Sequence, residues 1–138
     1  MKYWLMKVEP SAYDIEDLKR DGTTSWEGVR NYQARNFMRD EMKVGDKVLF
    51  YASNADPSGV TGLAEVSKEA RPEPKDHTWV MVDIRYVDTF AEVVSLDTLK
   101  STKGLENMLV TKKGTRLSIQ PVTKSEYDIV VKLGKKKT

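Results

Sequence analysis

Between positions 25 and 36 the chain reads Ser25-Trp26-Glu27-Gly28-Val29-Arg30-Asn31-Tyr32-Gln33-Ala34-Arg35-Asn36, joining a large aromatic, a glycine turn, amide side chains and two arginines. An indole offers a stacking face, Asn and Gln present donor and acceptor together to a base edge, and Arg pairs with phosphate through parallel donors. Those parts suit a flat, hydrogen-bonding, phosphate-linked ligand. A nucleobase fits that description better than a sugar or a lipid.

Each candidate also has a plainer reading. Trp26 could be a core indole, but its neighbours Ser25, Glu27 and Gly28 are not aliphatic, which suits a pocket wall. Stacking a base on such a ring is worth about 1–3 kcal/mol. Asn31 can cap the following helix and still meet a ligand at the helix N-terminus. Arg30 and Arg35 are phosphate-contact candidates, with solvated or ion-paired surface arginines as the alternative. Ser53 and Asn54 read as turn chemistry first and base-edge recognition second. Lys7 and Glu9, two apart on a strand, share a face and are expected to form an ion pair; general acid–base work is their rival use. Trp4 and Trp79 sit in strand-like runs and are expected in the core, as is the pair Phe37-Met38. His77, beside Asp76 in a proline-flanked loop, reads as a surface histidine.

Composition narrows the field further. The 138-residue chain has no cysteine and one histidine, which removes disulfides, thiolate metal sites, a cysteine nucleophile and histidine metal clusters. No metal and no cofactor is expected. The net charge of +2 is too weak a field for bulk nucleic-acid binding, so any such binding rests on local placement. No apolar run approaches the roughly 20 residues of a membrane span. A second lysine follows Lys2 after Tyr3-Trp4-Leu5-Met6, too soon for a signal-peptide core, and a cytoplasmic protein is expected. The length predicts a single domain over 1–134, with the basic run 135–138 as a disordered tail. Oligomeric state is not legible.

These residues must be held by elements, and the pattern supplies them. Tyr3 to Val8 is a short apolar strand stopped at Glu9-Pro10. Asp14 and Asp17 have capping spacing for a helix that ends at Asp21-Gly22. Asn31 to Met42 is helical, with Ala34, Phe37 and Met38 on one side. Lys47 to Ala52 is a strand, and a dense turn signal at Asn54 to Gly59 precedes a second over Val60 to Ala70. Arg71 to Asp76 reads as a loop, and Trp79 to Val87 alternates as a half-buried strand. A short helix capped by Ser95, a final strand over Thr115 to Gln120 halted by Pro121, and a capping box at Thr123 and Glu126 opening a last helix complete the order. A small curved or closed sheet decorated by helices is the simplest solution.

In order along the chain, Tyr3 to Pro10, Ser25 to Asn36, Met42 to Asp46, Phe50 to Asn54, Gly62 to Val66, Val82 to Ile84 and Arg116 to Val122 resemble the EVE domain, a member of the PUA-like superfamily, in its stand-alone form. The resemblance implies an α+β fold, a five-stranded or slightly larger PUA-like β-barrel with surrounding helices, similar to YTH domains. It also implies an aromatic-walled pocket for a modified DNA or RNA base. Carried over by position, that pocket is built near Trp26, Val29, Asn31, Tyr51, Ser53 and Asn54, with Lys7, Glu9 and Arg116 as polar neighbours. Val29 or Tyr51 would supply the apolar wall that senses a methyl group. The chain departs from the family pattern at Val8, where a serine is usual, and at Ala52, where a histidine is usual. Its segment between the Glu65 and Trp79 strands is also shorter than in many relatives. The rival functions are an enzyme acting on a modified nucleotide or nucleoside, with Lys7, Glu9 and Asp83 as its reactive groups, and a protein-interaction module.

Overall fold

Strands β1 (Tyr3–Val8) and β3 (Lys47–Ala52) are apolar at successive positions because the sheet they build is covered on both faces. They pair in parallel, Tyr3 with Lys47 through Val8 with Ala52. Trp4, Met6, Val48 and Phe50 pack into one core, while Leu5, Leu49 and Tyr51 pack into another. The alternation of side chains along a strand makes that division. The computed structural model describes residues 1–114 and 116–135.

Helix α1 (Ile15–Asp21) follows β1 and is started by the expected capping box, in which the Asp17 amide donates to Asp14 at 2.8 Å and the Asp14 amide to Asp17 at 2.9 Å. Strand β2 (Thr23–Trp26) leads to α2 (Tyr32–Asp40), and α2 buries Ala34 and Met38 in the first core. Phe37 packs at the edge of that core, 5.4 Å from Trp4. After β3 come the long strands β4 (Gly59–Pro72) and β5 (Val80–Ser95), then α3 (Leu96–Ser101), a 3-10 turn at Leu109–Thr111, β6 (Ile119–Val122) and α4 (Lys124–Lys135). Thr123 and Glu126 form the second capping box, at 3.1 and 2.9 Å. Leu99, Leu105, Met108 and Val130 fill the second core.

Among the described residues one sheet of six strands runs in the order β2-β5-β4-β3-β1-β6, in keeping with the five or slightly more expected. The fold is α+β. Register shifts recur along β4 and β5, and such bulges bend and twist a strand pair, so this hairpin coils and does not lie flat. Several boundaries differ from the sequence reading. Thr23–Trp26 is a strand because it finds a partner in β5, Trp26 opposite Val82, which no local pattern announces. Arg71 and Pro72 continue β4, and β5 runs past Val87 to Ser95. Strand β6 does not stop at Pro121 but carries it opposite Trp4; proline is tolerated there because β6 is an end strand with one neighbour. Thr115, the expected start of that strand, lies outside the described residues. So do positions 136–138 of the expected tail, while Lys135 belongs to α4. No helix among the described residues is long and apolar enough to cross a membrane.

Candidate nucleic-acid interface

The β2–α2 turn presents the densest group of candidates. Gly28 adopts φ +83°, the left-handed region that glycine reaches without a Cβ penalty, and this reverses the chain between Trp26 and Asn31. Asn31 caps α2, its side-chain oxygen accepting from the Ala34 amide at 2.9 Å. Trp26 is 8% exposed and belongs to the first core, meeting Phe50 edge-on at a centroid distance of 5.9 Å. Val29 is buried in the same core. The indole is thus mostly a core group, where the sequence suggested a pocket wall.

Glu73 fixes the turn. Its buried carboxylate accepts from the Gly28 amide at 3.0 Å and from both terminal nitrogens of Arg30 at 2.9 and 2.8 Å. The Arg30 guanidinium and the Gly28 amide hold the Glu73 carboxyl below its ordinary range, outweighing the opposing effect of burial. Arg30, expected to contact phosphate, is therefore committed to a carboxylate. Glu27, Gly28, Arg30, Glu73, Pro74 and Lys75 line a cleft of about 330 Å³ beside the turn.

A second group gathers where the parallel strands β1 and β3 end together. The Ser53 amide donates to the Val8 carbonyl at 2.9 Å, and the Lys7 amide to the Ser118 carbonyl at 2.8 Å, which draws the segment of exposed Arg116 alongside. Lys7 is half-buried with its ammonium 5.9 Å from the centroid of the Tyr51 ring, and burial lowers its pKa. Burial raises that of Tyr51. The expected Lys7–Glu9 ion pair is not formed: β1 ends at Val8, so strand alternation no longer orients Glu9, which accepts from the Asn54 side chain at 2.8 Å. Asn54 stands at φ +51°, a turn conformation that asparagine tolerates.

The sheet divides the aromatic members of the two groups. Trp26 and Val29 pack with Phe50 in the first core, whereas Tyr51, the next residue along β3, turns into the second. The family's usual serine and histidine positions, occupied by Val8 and Ala52, face each other directly in the β1–β3 register.

The sequence reading missed three residues here. Glu73, between two prolines, passed as loop. Trp79, expected in the core, is only half-buried and stacks on exposed Tyr32, with centroids 4.9 Å apart and planes 28° apart. Arg30 lies 5.1 Å from the Trp79 centroid, and Arg35 lies 4.9 Å from that of Tyr32. The available signal was Tyr32 itself, a large aromatic at the first position of an amphipathic helix.

Comparison with known proteins agrees with this architecture. The family model described as EVE domain matches residues 2–133. Human thymocyte nuclear protein 1 is 40% identical over 172 aligned positions, covering 97% of this chain and 74% of that protein. The structure of human THYN1 protein in complex with 5-methylcytosine-containing DNA superposes with a TM-score of 0.88, at 36% identity and full coverage of both chains. The YTH domain of Zygosaccharomyces rouxii MRB1 protein, in complex with N6-methyladenosine RNA, shares the fold at 14% identity, with a TM-score of 0.61 over 99% of this chain and 88% of that one.

Proposed function

This chain belongs to the EVE domain family, and from that premise we propose that it binds nucleic acid and accepts a modified, for example methylated, base at the turn between β2 and α2. The observation that carries the reading is its match, over the whole of both chains, to the human THYN1 chain whose structure holds 5-methylcytosine-containing DNA. The geometry of the turn supports it. Trp26 supplies an aromatic surface, Val29 an apolar neighbour, and Asn31 marks a helix N-terminus, where amide hydrogens and the helix dipole favour a base carbonyl or a phosphate.

The 8% exposure of Trp26 sets a condition. A base that stacks on the indole face needs the side chains packed over it to move aside. Extruding a base from a duplex costs a few kcal/mol, and stacking returns about 1–3 kcal/mol of that, so edge hydrogen bonds supply the rest. One buried methyl adds about 0.8 kcal/mol, roughly a fourfold preference. Discrimination is therefore modest.

The role is binding and not catalysis on this reading, because Lys7 lies against Tyr51 while Glu9 is tied to Asn54, and the two are not assembled for proton transfer. Fluorescence-polarisation titration of oligonucleotides carrying one 5-methylcytosine, against the same sequences with cytosine, tests the proposal. A several-fold preference, reduced by Trp26→Phe, is expected; equal affinities would overturn it. Formation of product from modified nucleosides, read by mass spectrometry, would overturn the non-catalytic role.

A further inference from the structure

We propose that Tyr32, Trp79 and Arg35 form a second contact surface, on which the strand flanking the recognised base stacks one of its bases and places a phosphate. The inference rests on the nucleic-acid reading above and adds to it a platform outside the β2–α2 turn.

The geometry is that of a prebuilt stack. Tyr32 is 60% exposed, an unusual position for a tyrosine ring, yet it is held from behind by the half-buried Trp79 at 4.9 Å and 28°. The Arg30 guanidinium lies 5.1 Å from the Trp79 centroid and is fixed in place by Glu73. Arg35 lies 4.9 Å from the Tyr32 centroid and 5.9 Å from that of Trp79. An aromatic ring already braced by other planar groups loses little freedom when a base stacks on it, and base–aromatic stacking tolerates any sequence because every base has a π-face.

Charge separates this cluster from a device that merely pins the β4–β5 connection to α2. Arg20, Arg30, Arg39, Arg71 and Arg85 each hydrogen-bond a carboxylate. Arg35, by contrast, donates to the Thr78 carbonyl and the Asn36 amide oxygen, both neutral. Its charge is steered by the neighbouring groups without being paired. The acids nearby are engaged elsewhere: Asp40 with Arg39, Glu73 with Arg30, and Asp76 with the Thr78 amide. A guanidinium beside exposed rings, positioned by neutral acceptors, matches a polyanion that also carries planar bases. A protein or lipid partner would need only one of those features.

The test compares a single-stranded DNA oligonucleotide carrying one 5-methylcytosine with the free nucleoside 5-methyl-2′-deoxycytidine. Tyr32→Ala is expected to weaken oligonucleotide binding roughly tenfold, Tyr32→Phe to preserve it, and Arg35→Gln to flatten the dependence of log affinity on log salt by about one phosphate contact. All three leave nucleoside binding and the preference for 5-methylcytosine unchanged. Oligonucleotide affinity and salt slope equal to those of the parent in both Tyr32→Ala and Arg35→Gln would overturn the proposal. So would parallel loss of nucleoside and oligonucleotide binding, which would make the cluster a prop for the turn. A parent protein without preference for the modified base would instead sink the function proposed above, and the platform would still be judged by binding of the unmodified strand.

Discussion

Glu73 reaches across from the end of β4 to hold Arg30 by two charged hydrogen bonds of 2.8 and 2.9 Å while also accepting from the Gly28 amide, so one buried carboxylate sets the shape of the β2–α2 turn. Its carboxyl titrates below the ordinary range, chiefly because of the Arg30 contact. A depressed folded pKa stabilises above the unfolded value of about 4.3 and is lost as pH falls through the folded one. Acidification below about pH 4.3 is therefore expected to release the turn, seen as movement of the Gly28 amide resonance toward its free position. Glu73→Gln, which cannot ionise, should show a displaced resonance at neutral pH and little further change in acid.

At the start of β1, Asp46 is 2% exposed and accepts from the Trp4 indole at 3.0 Å and from the Lys2 and Lys43 amides at 3.1 and 3.0 Å. Removing the carboxylate leaves a buried indole N–H without its partner, and an unsatisfied buried donor costs about 1–3 kcal/mol. Asp46→Ala is expected to lower the unfolding free energy in urea by about 3 kcal/mol. Asp46→Asn, which retains one acceptor oxygen, should fall between it and the parent.

Much of this arrangement is legible in the sequence, and the rest fails for identifiable reasons. The caps at Asp14, Asn31, Ser95 and Thr123 are read correctly because capping is local: the partner lies three residues away. Strand β2 is invisible because Thr-Thr-Ser-Trp becomes a strand only through β5, nearly sixty positions later. Trp79 misleads because it stands just outside the strand its alternation suggests; β5 begins at Val80, and the indole is left to stack on Tyr32. Trp26 and Tyr51, placed by resemblance on one pocket wall, are divided by the sheet itself. Phe50 carries the Trp26 contact, and its neighbour Tyr51 points into the other core.

The apolar pair Val8 and Ala52 occupies facing positions in a parallel ladder, so the two departures from the family's usual serine and histidine form one local change. Ala52 is 6% exposed, and a histidine introduced there alone overpacks its surroundings, at a cost of about 1–3 kcal/mol. Val8→Ser opposite it frees volume and supplies a hydroxyl partner. The double variant is expected to be more stable than the sum of the single changes by at least about 0.5 kcal/mol in a double-mutant cycle. Strict additivity would show that the facing pair does not interact.

Tyr127 on α4 packs against Tyr3 with centroids 4.9 Å apart, and burial, assisted by the nearby Tyr3 and Asp128, pushes its pKa up to about 12. A phenol whose folded pKa lies above the ordinary value of about 10 contributes stability that is complete below that pH and is lost as pH rises toward the folded value. Ionisation of Tyr127 is thus expected to accompany loosening of α4 from the second core between about pH 10 and pH 12. Tyrosinate absorbance at alkaline pH should show a late component coinciding with loss of helical circular dichroism. The pKa values of Tyr51 and Tyr13 are also raised, chiefly by burial, so Tyr127→Phe should reduce the amplitude of the late component by one tyrosine. A late component of unchanged amplitude in that variant would place its origin elsewhere in the fold.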